Sequence, residues 1–130
     1  MPQLTPNQAF ILAKQFHDLA VVIGNYRFEN WDGLSSDERR ALEDLQFDVL
    51  NDSSKFNGMS ISLELDDLQG TLDDLGEVTD NMQQAIKNLK NIGKVIKIAT
   101  AAVTLGAAIV SMNPSAIGSA LSGAANALKD

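Results

Sequence analysis

Between residues 61 and 110 the sequence keeps a four-three alternation, at positions 61, 65, 68, 72, 75, 79, 82, 86, 89, 93, 96, 100, 103, 107 and 110, and most of these positions are apolar. A strand shows alternate residues to one face and cannot produce this spacing, whereas an α-helix with a heptad seam does. Ile61, Leu65, Leu68, Leu72, Leu75, Met82, Ile86, Leu89 and Ile96 are the candidate seam, a surface for self-association in the manner of a coiled coil. Thr79, Gly93, Thr100 and Ala107 weaken it, and each glycine inside such a helix costs about 1 kcal/mol relative to Ala. Read as one helix over 60–112, the segment would be roughly 78 Å long, about twice the width of a compact domain of this size. The expectation is an elongated bundle.

The rest of the chain is also helical in pattern, so the predicted fold class is all-α, one domain over 1–130 with helices at about 6–29, 35–56, 60–112 and 115–128. Thr5-Pro6-Asn7-Gln8 combines a capping hydroxyl, a proline suited to the first helical position and a reciprocating Gln. Leu12, Phe16, Leu19, Ile23 and Tyr26 then recur every three or four residues as an amphipathic stripe, which Phe10, Val21 and Val22 widen. Trp31-Asp32-Gly33 reads as a packed interhelical turn, and Ser35-Ser36-Asp37-Glu38 as a second capping box. The helix after it points Leu42, Leu45, Val49 and Phe56 inward. Asn113-Pro114-Ser115 ends the long helix, because proline disfavours helical geometry in the residue before it.

Composition narrows the functional classes. Cysteine is absent, which excludes disulfides and thiolate metal sites, and His17 is the single histidine. With no second histidine and no motif around it, His17 reads as a surface or boundary residue, and no nucleophile, acid/base pair or phosphate loop marks an enzyme, a cofactor or a small-molecule substrate. A net charge of -7 argues against nucleic acid as a partner. Leu65-Asp66-Asp67-Leu68 returns seven residues later as Leu72-Asp73-Asp74-Leu75; lacking the alternating ligands of a calcium loop, these carboxylates read as a solvated face and no metal is expected. Protonating them in acid would ease approach to an anionic membrane. Met1-Pro2-Gln3-Leu4 begins nothing like a secretory signal, so the expected route is synthesis as a soluble cytoplasmic protein, with any release non-classical.

The charges are unevenly placed. Residues 37–80 carry thirteen of the seventeen acids, residues 81–129 carry five lysines and no acid, and from Ile98 to Leu128 there are 31 residues without a charge. Seventeen of those 31 are Ala, Gly or Ser, with small residues four apart, as at Ala102 and Gly106, Gly118 and Ser122, or Ser119 and Gly123, the spacing that lets helices approach closely in lipid. Folded back at Asn113-Pro114, this stretch is a candidate membrane-inserting hairpin carrying Ile98, Val103, Leu105, Gly106, Ile109, Val110, Met112, Pro114, Ile117, Gly118, Leu121, Gly123 and Leu128. Lys87, Lys90, Lys94 and Lys97 fall at helical spacing just before it, as candidate anchors to anionic lipid headgroups.

A long heptad helix leading through lysines into the uncharged run Ile98-Ala99-Thr100-Ala101-Ala102-Val103-Thr104-Leu105-Gly106-Ala107-Ala108-Ile109-Val110 and the Asn113-Pro114 turn resembles the α-helical pore-forming toxins over residues 60–128. The resemblance is architectural. It implies a protein that is soluble first and then oligomerises into a helical pore. The sequence stops after the hairpin, where that family's pattern continues with long returning helices, so the expectation is one component of an oligomeric pore, as a homo-oligomer or with a partner chain. The alternative is a non-enzymatic structural or adaptor bundle that self-associates through the heptad seam.

Overall fold

The computed structural model describes residues 5–56, 68–88 and 91–129, and the regular elements among them are all helical. Helix α1 (Pro6–Glu29) begins on its expected cap: the Gln8 N–H donates to Thr5 Oγ1 at 3.1 Å, and the Thr5 N–H donates to Gln8 Oε1 at 2.9 Å. Leu12, Phe16, Leu19, Ile23 and Tyr26 are buried, as is Val22. Phe10 and Val21 are not, being 58% and 42% exposed. Their flank of α1 lies beyond both neighbours, since α1 meets α2 through Ala13, Gly24 and Arg27 and meets α3 through Leu12, Gln15 and Tyr26.

A 3-10 turn at Trp31–Gly33 leads to α2 (Ser36–Phe56). Arg39 closes that turn, donating to the Trp31 carbonyl from Nε at 2.9 Å and Nη2 at 2.5 Å, and Ser35 with Glu38 forms the second capping box. Leu42, Val49 and Phe56 are buried, with the Phe56 ring edge-on to Phe16 at 5.0 Å between centroids. Ser53, also buried, donates its hydroxyl to the Ala13 carbonyl at 2.6 Å, which satisfies a polar group in the α1–α2 seam.

The expected single helix over 60–112 is replaced by two, α3 (Leu68–Asn88) and α4 (Ile92–Val110). Asn91 separates them. Its backbone is extended (φ -86, ψ 109) and its Oδ1 accepts from the Lys94 N–H at 3.1 Å, so it starts a new helix instead of continuing the old one. The face that is buried changes phase there. In α3 the seam positions Leu75, Thr79, Met82 and Ile86 are buried, Thr79 donating its hydroxyl to the Leu75 carbonyl at 2.8 Å. In α4 the buried residues are Val95, Ile98, Ala99, Ala102, Leu105, Gly106, Ala108 and Ile109, while the seam positions 93, 100 and 107 are exposed and 96, 103 and 110 half-buried.

Ser111 and Met112 turn the chain into α5 (Pro114–Lys129), where Asn113 Oδ1 accepts from the Ser115 N–H at 2.9 Å. The helices close a ring in the order α1, α2, α4, α5, α3. Their directions follow from what meets what. Tyr26, near the end of α1, shares a hollow with Ile86 near the end of α3, so these two run parallel and α4 starts at the end of the bundle where α2 also starts. Asp52 of α2 and Gly106 of α4 then meet near the opposite end. Every described Arg and Lys except Lys14 and Lys55 consequently gathers at the end where α2 and α4 begin, and Asp48, Asp52, Asp73 and Asp74 lie toward the other.

Met112 closes the α4–α5 turn with φ 58, in the left-handed region, where the side chain crowds its own backbone. Met112→Gly should therefore stabilise the protein, by up to about 1 kcal/mol, and Met112→Val should destabilise it. Thermal unfolding followed by circular dichroism measures both.

Candidate functional site

The α4–α5 pair carries the uncharged stretch, and its larger side chains point into the bundle. Ile98, Leu105, Gly106, Ile109 and Ile117 are buried, Val103, Val110, Leu121 and Leu128 are half-buried, and Met112, Pro114, Gly118 and Gly123 are exposed. Small residues line the outward side. Thr100, Thr104, Ala107, Ser119, Gly123 and Ala127 border a groove of about 660 Å³ between the two helices. The threonines turn their hydroxyls inward along the helix: Thr100 donates to the Ile96 carbonyl at 2.7 Å and Thr104 to the Thr100 carbonyl at 3.1 Å. Such back-bonding satisfies the hydroxyl within its own helix and leaves the methyl group facing out. Among the described residues, α4 is the helix long and apolar enough to cross a membrane, with mean hydropathy 1.6 and 44% of that window buried.

The lysines before this pair do not form one stripe, because the break at Asn91 puts Lys87 on α3 and Lys94 and Lys97 on α4. Lys87 and Lys97 are exposed, whereas Lys94 is half-buried and its Nζ is covered without a hydrogen-bond partner. Lys90 lies outside the described residues, as do Ile61, Leu65 and Leu89 of the seam. Leu68 opens α3, Leu75, Met82 and Ile86 are buried in the core, and Leu72 and Ile96 pack half-buried against it.

Among the described residues, one buried acid enters the interface between α2 and α4. Asp52 of α2 is 9% exposed, and its Oδ2 is buried without a hydrogen-bond partner. The carboxyl faces Gly106: a Cβ built there would stand 2.8 Å from Asp52 Cγ, 2.9 Å from Asp52 Cβ, and closer still to Oδ2. Burial pushes the Asp52 pKa above the ordinary carboxylate value; Lys55 pulls it down and Asp48 pushes it up. Tyr26, at the other end of the core, has its hydroxyl buried and unpartnered, and burial together with Glu38 raises its pKa.

Against known proteins, the chain matches no family model, no curated protein and no solved structure. The site is therefore defined by its own geometry. Among the described residues, no group of three or more His, Cys, Asp or Glu could hold a metal ion.

Asp52 is the residue that a reading by apolar spacing passes over, although its position was visible: Leu42, Leu45, Val49, Asp52 and Phe56 continue one three-four stripe, so a carboxylate occupies a core register. Gly106 is needed because α2 and α4 approach closely there. Gly106→Ala should destabilise the protein by about 1–2 kcal/mol despite the better helix propensity of alanine, since Asp52 must shift. In the Asp52→Ala background the penalty should shrink, because the carboxyl is gone and the contact with Cβ remains. Urea unfolding of the double-mutant cycle measures the difference.

Proposed function

We propose that this protein is membrane-active: it is water-soluble at first, and its α4–α5 pair then inserts to permeabilise a membrane, as one component of an oligomeric pore. The observation that carries this reading is the outward face of that pair, which bears no charge from Ile98 to Leu128 and whose threonine hydroxyls are bonded to their own helix. In hydrocarbon every polar group left unsatisfied is costly, and helices that satisfy their own groups avoid that cost. Neither helix is a conventional span: from Ile98 the uncharged part of α4 covers roughly 20 Å at about 1.5 Å per residue and α5 roughly 24 Å, against a hydrocarbon core of about 30 Å, which suits a pair that inserts conditionally and thins the bilayer around it. Lys87, Lys90 and Lys97 would meet anionic headgroups at the entry to the pair.

A second reading, the structural or adaptor bundle, is favoured by a different surface. Leu75, Met82 and Ile86 of the heptad seam are spent on the internal core, but Phe10, Phe28 and Phe47 are 58%, 68% and 55% exposed, and Trp31 stacks on Phe28 with Arg27 and Arg39 over its ring. Helical geometry puts Phe10, Val21, Phe28 and Phe47 on one outer face of α1 and α2, a surface on which a protein partner or a second copy would bury aromatic area.

Dye release from vesicles rich in anionic lipid separates the two. The first reading expects release by the wild-type chain. It further expects Thr104→Glu, on the exposed face, to keep the fold and lose release, because a carboxylate at the centre of an inserted helix costs about 2.5–3.5 kcal/mol. Under the second, vesicles stay sealed with either protein, and sedimentation shows self-association that Phe28→Ser or Phe47→Ser abolishes.

A further inference from the structure

The charge most deeply placed against the uncharged pair is on α2, not on α4 or α5. Asp52 fills a core register, keeps one carboxyl oxygen buried and unbonded, and fits only because residue 106 has no side chain. The charged groups nearest it are Lys55 and Asp48, one turn away on either side along α2. From α1, Lys14 and His17 border a hollow with the neighbouring Ser53, and Lys14 pairs with Asp18 at 3.2 Å. Neither α4 beyond Lys97 nor α5 before Lys129 brings any charge to the site. A carboxylate here is thus solvated by nothing on the helix it presses against, and a protonated carboxyl loses that penalty.

We propose that Asp52, seated on Gly106, is the catch on the α4–α5 pair: ionised, it loosens the docking of α4 on α2, and protonated, it tightens it. The proposal rests for its purpose on the membrane-active reading and names the regulation of that same segment. Because the folded protein holds the Asp52 pKa above its ordinary value of 3.8, folding favours the protonated form. The stability that Asp52 contributes is fully present below 3.8 and is lost as pH rises through the raised value. Release of the pair is therefore favoured toward neutral pH and opposed by acid, the reverse of an acid-triggered insertion.

Amide hydrogen exchange on the full chain in solution, without lipid, reads the docking of α4 and α5 directly. After correction for the intrinsic pH dependence of exchange, wild-type protection in α4 and α5 should fall between pH 4 and pH 7 relative to α1. Asp52→Asn should remove that fall and raise the melting temperature at pH 7 by roughly 3–5 °C, with the gap closing toward pH 4. Lys55→Gln, an exposed change, should act in the opposite sense and steepen the fall. An equal fall in wild type and Asp52→Asn, or an unchanged fall in Lys55→Gln, overturns the catch. Sealed vesicles alongside the expected exchange pattern would remove the membrane reading and leave the catch in place.

Discussion

Asn91 lets the uncharged quarter of this chain be covered at all. A heptad helix carried through to residue 110 would project its apolar end far beyond the other helices, which are only 16 to 24 residues long. By capping Lys94 with its side chain, Asn91 starts α4 afresh and sends it back alongside α2. Everything else follows from that return: α4 reaches Asp52, Met112 is forced into a tight left-handed turn, and α5 closes the ring against α3. That side-chain hydrogen bond, of the kind that stabilises a helix by about 1 kcal/mol, marks where the bundle departs from a rod, and burial of Val95, Ile98, Leu105, Ile109 and Ile117 favours the bundle by far more.

Much of the fold is legible in the residues, and the failures have identifiable causes. The caps at Thr5 and Ser35 and the stripe from Leu12 to Tyr26 are local features, set by hydrogen bonds and periodicity within one helix, and they appear where the pattern puts them. The seam through α3 is likewise legible from Leu72 to Ile86. It fails in α4 because that helix is apolar nearly all the way round: when most positions are Ala, Val, Ile or Gly, a four-three ladder can be drawn through any of several faces. Periodicity carries no phase information there, and packing on α2 chooses a face one residue away. Phe10 and Val21 fail for the complementary reason. A stripe is only as wide as the neighbours that cover it, and those neighbours are set by tertiary order.

The candidate site was visible as composition but not as geometry. The lack of charge from Ile98 to Leu128 is plain in the sequence, yet which atoms of that stretch face outward depends on how α4 sits on α2. The lysines show the same dependence, with Lys87 on α3 and Lys94 and Lys97 on α4. The charge that bears on this stretch is likewise a matter of geometry, since Asp52 reaches it only because α4 packs against α2 at Gly106.

The direction of the helices has a mechanical corollary. The bases collect where α4 begins, alongside Glu29, Asp32, Asp37, Glu38 and Glu43, while the Ser111–Asn113 bend lies at the opposite end with Asp48, Asp52, Asp73 and Asp74. A pair that inserted as proposed, from the end where α4 begins, could not lead with its bend while the bundle stayed shut; it would have to swing outward about the Asn91 joint, like a blade unfolding from its handle, before its tip could cross.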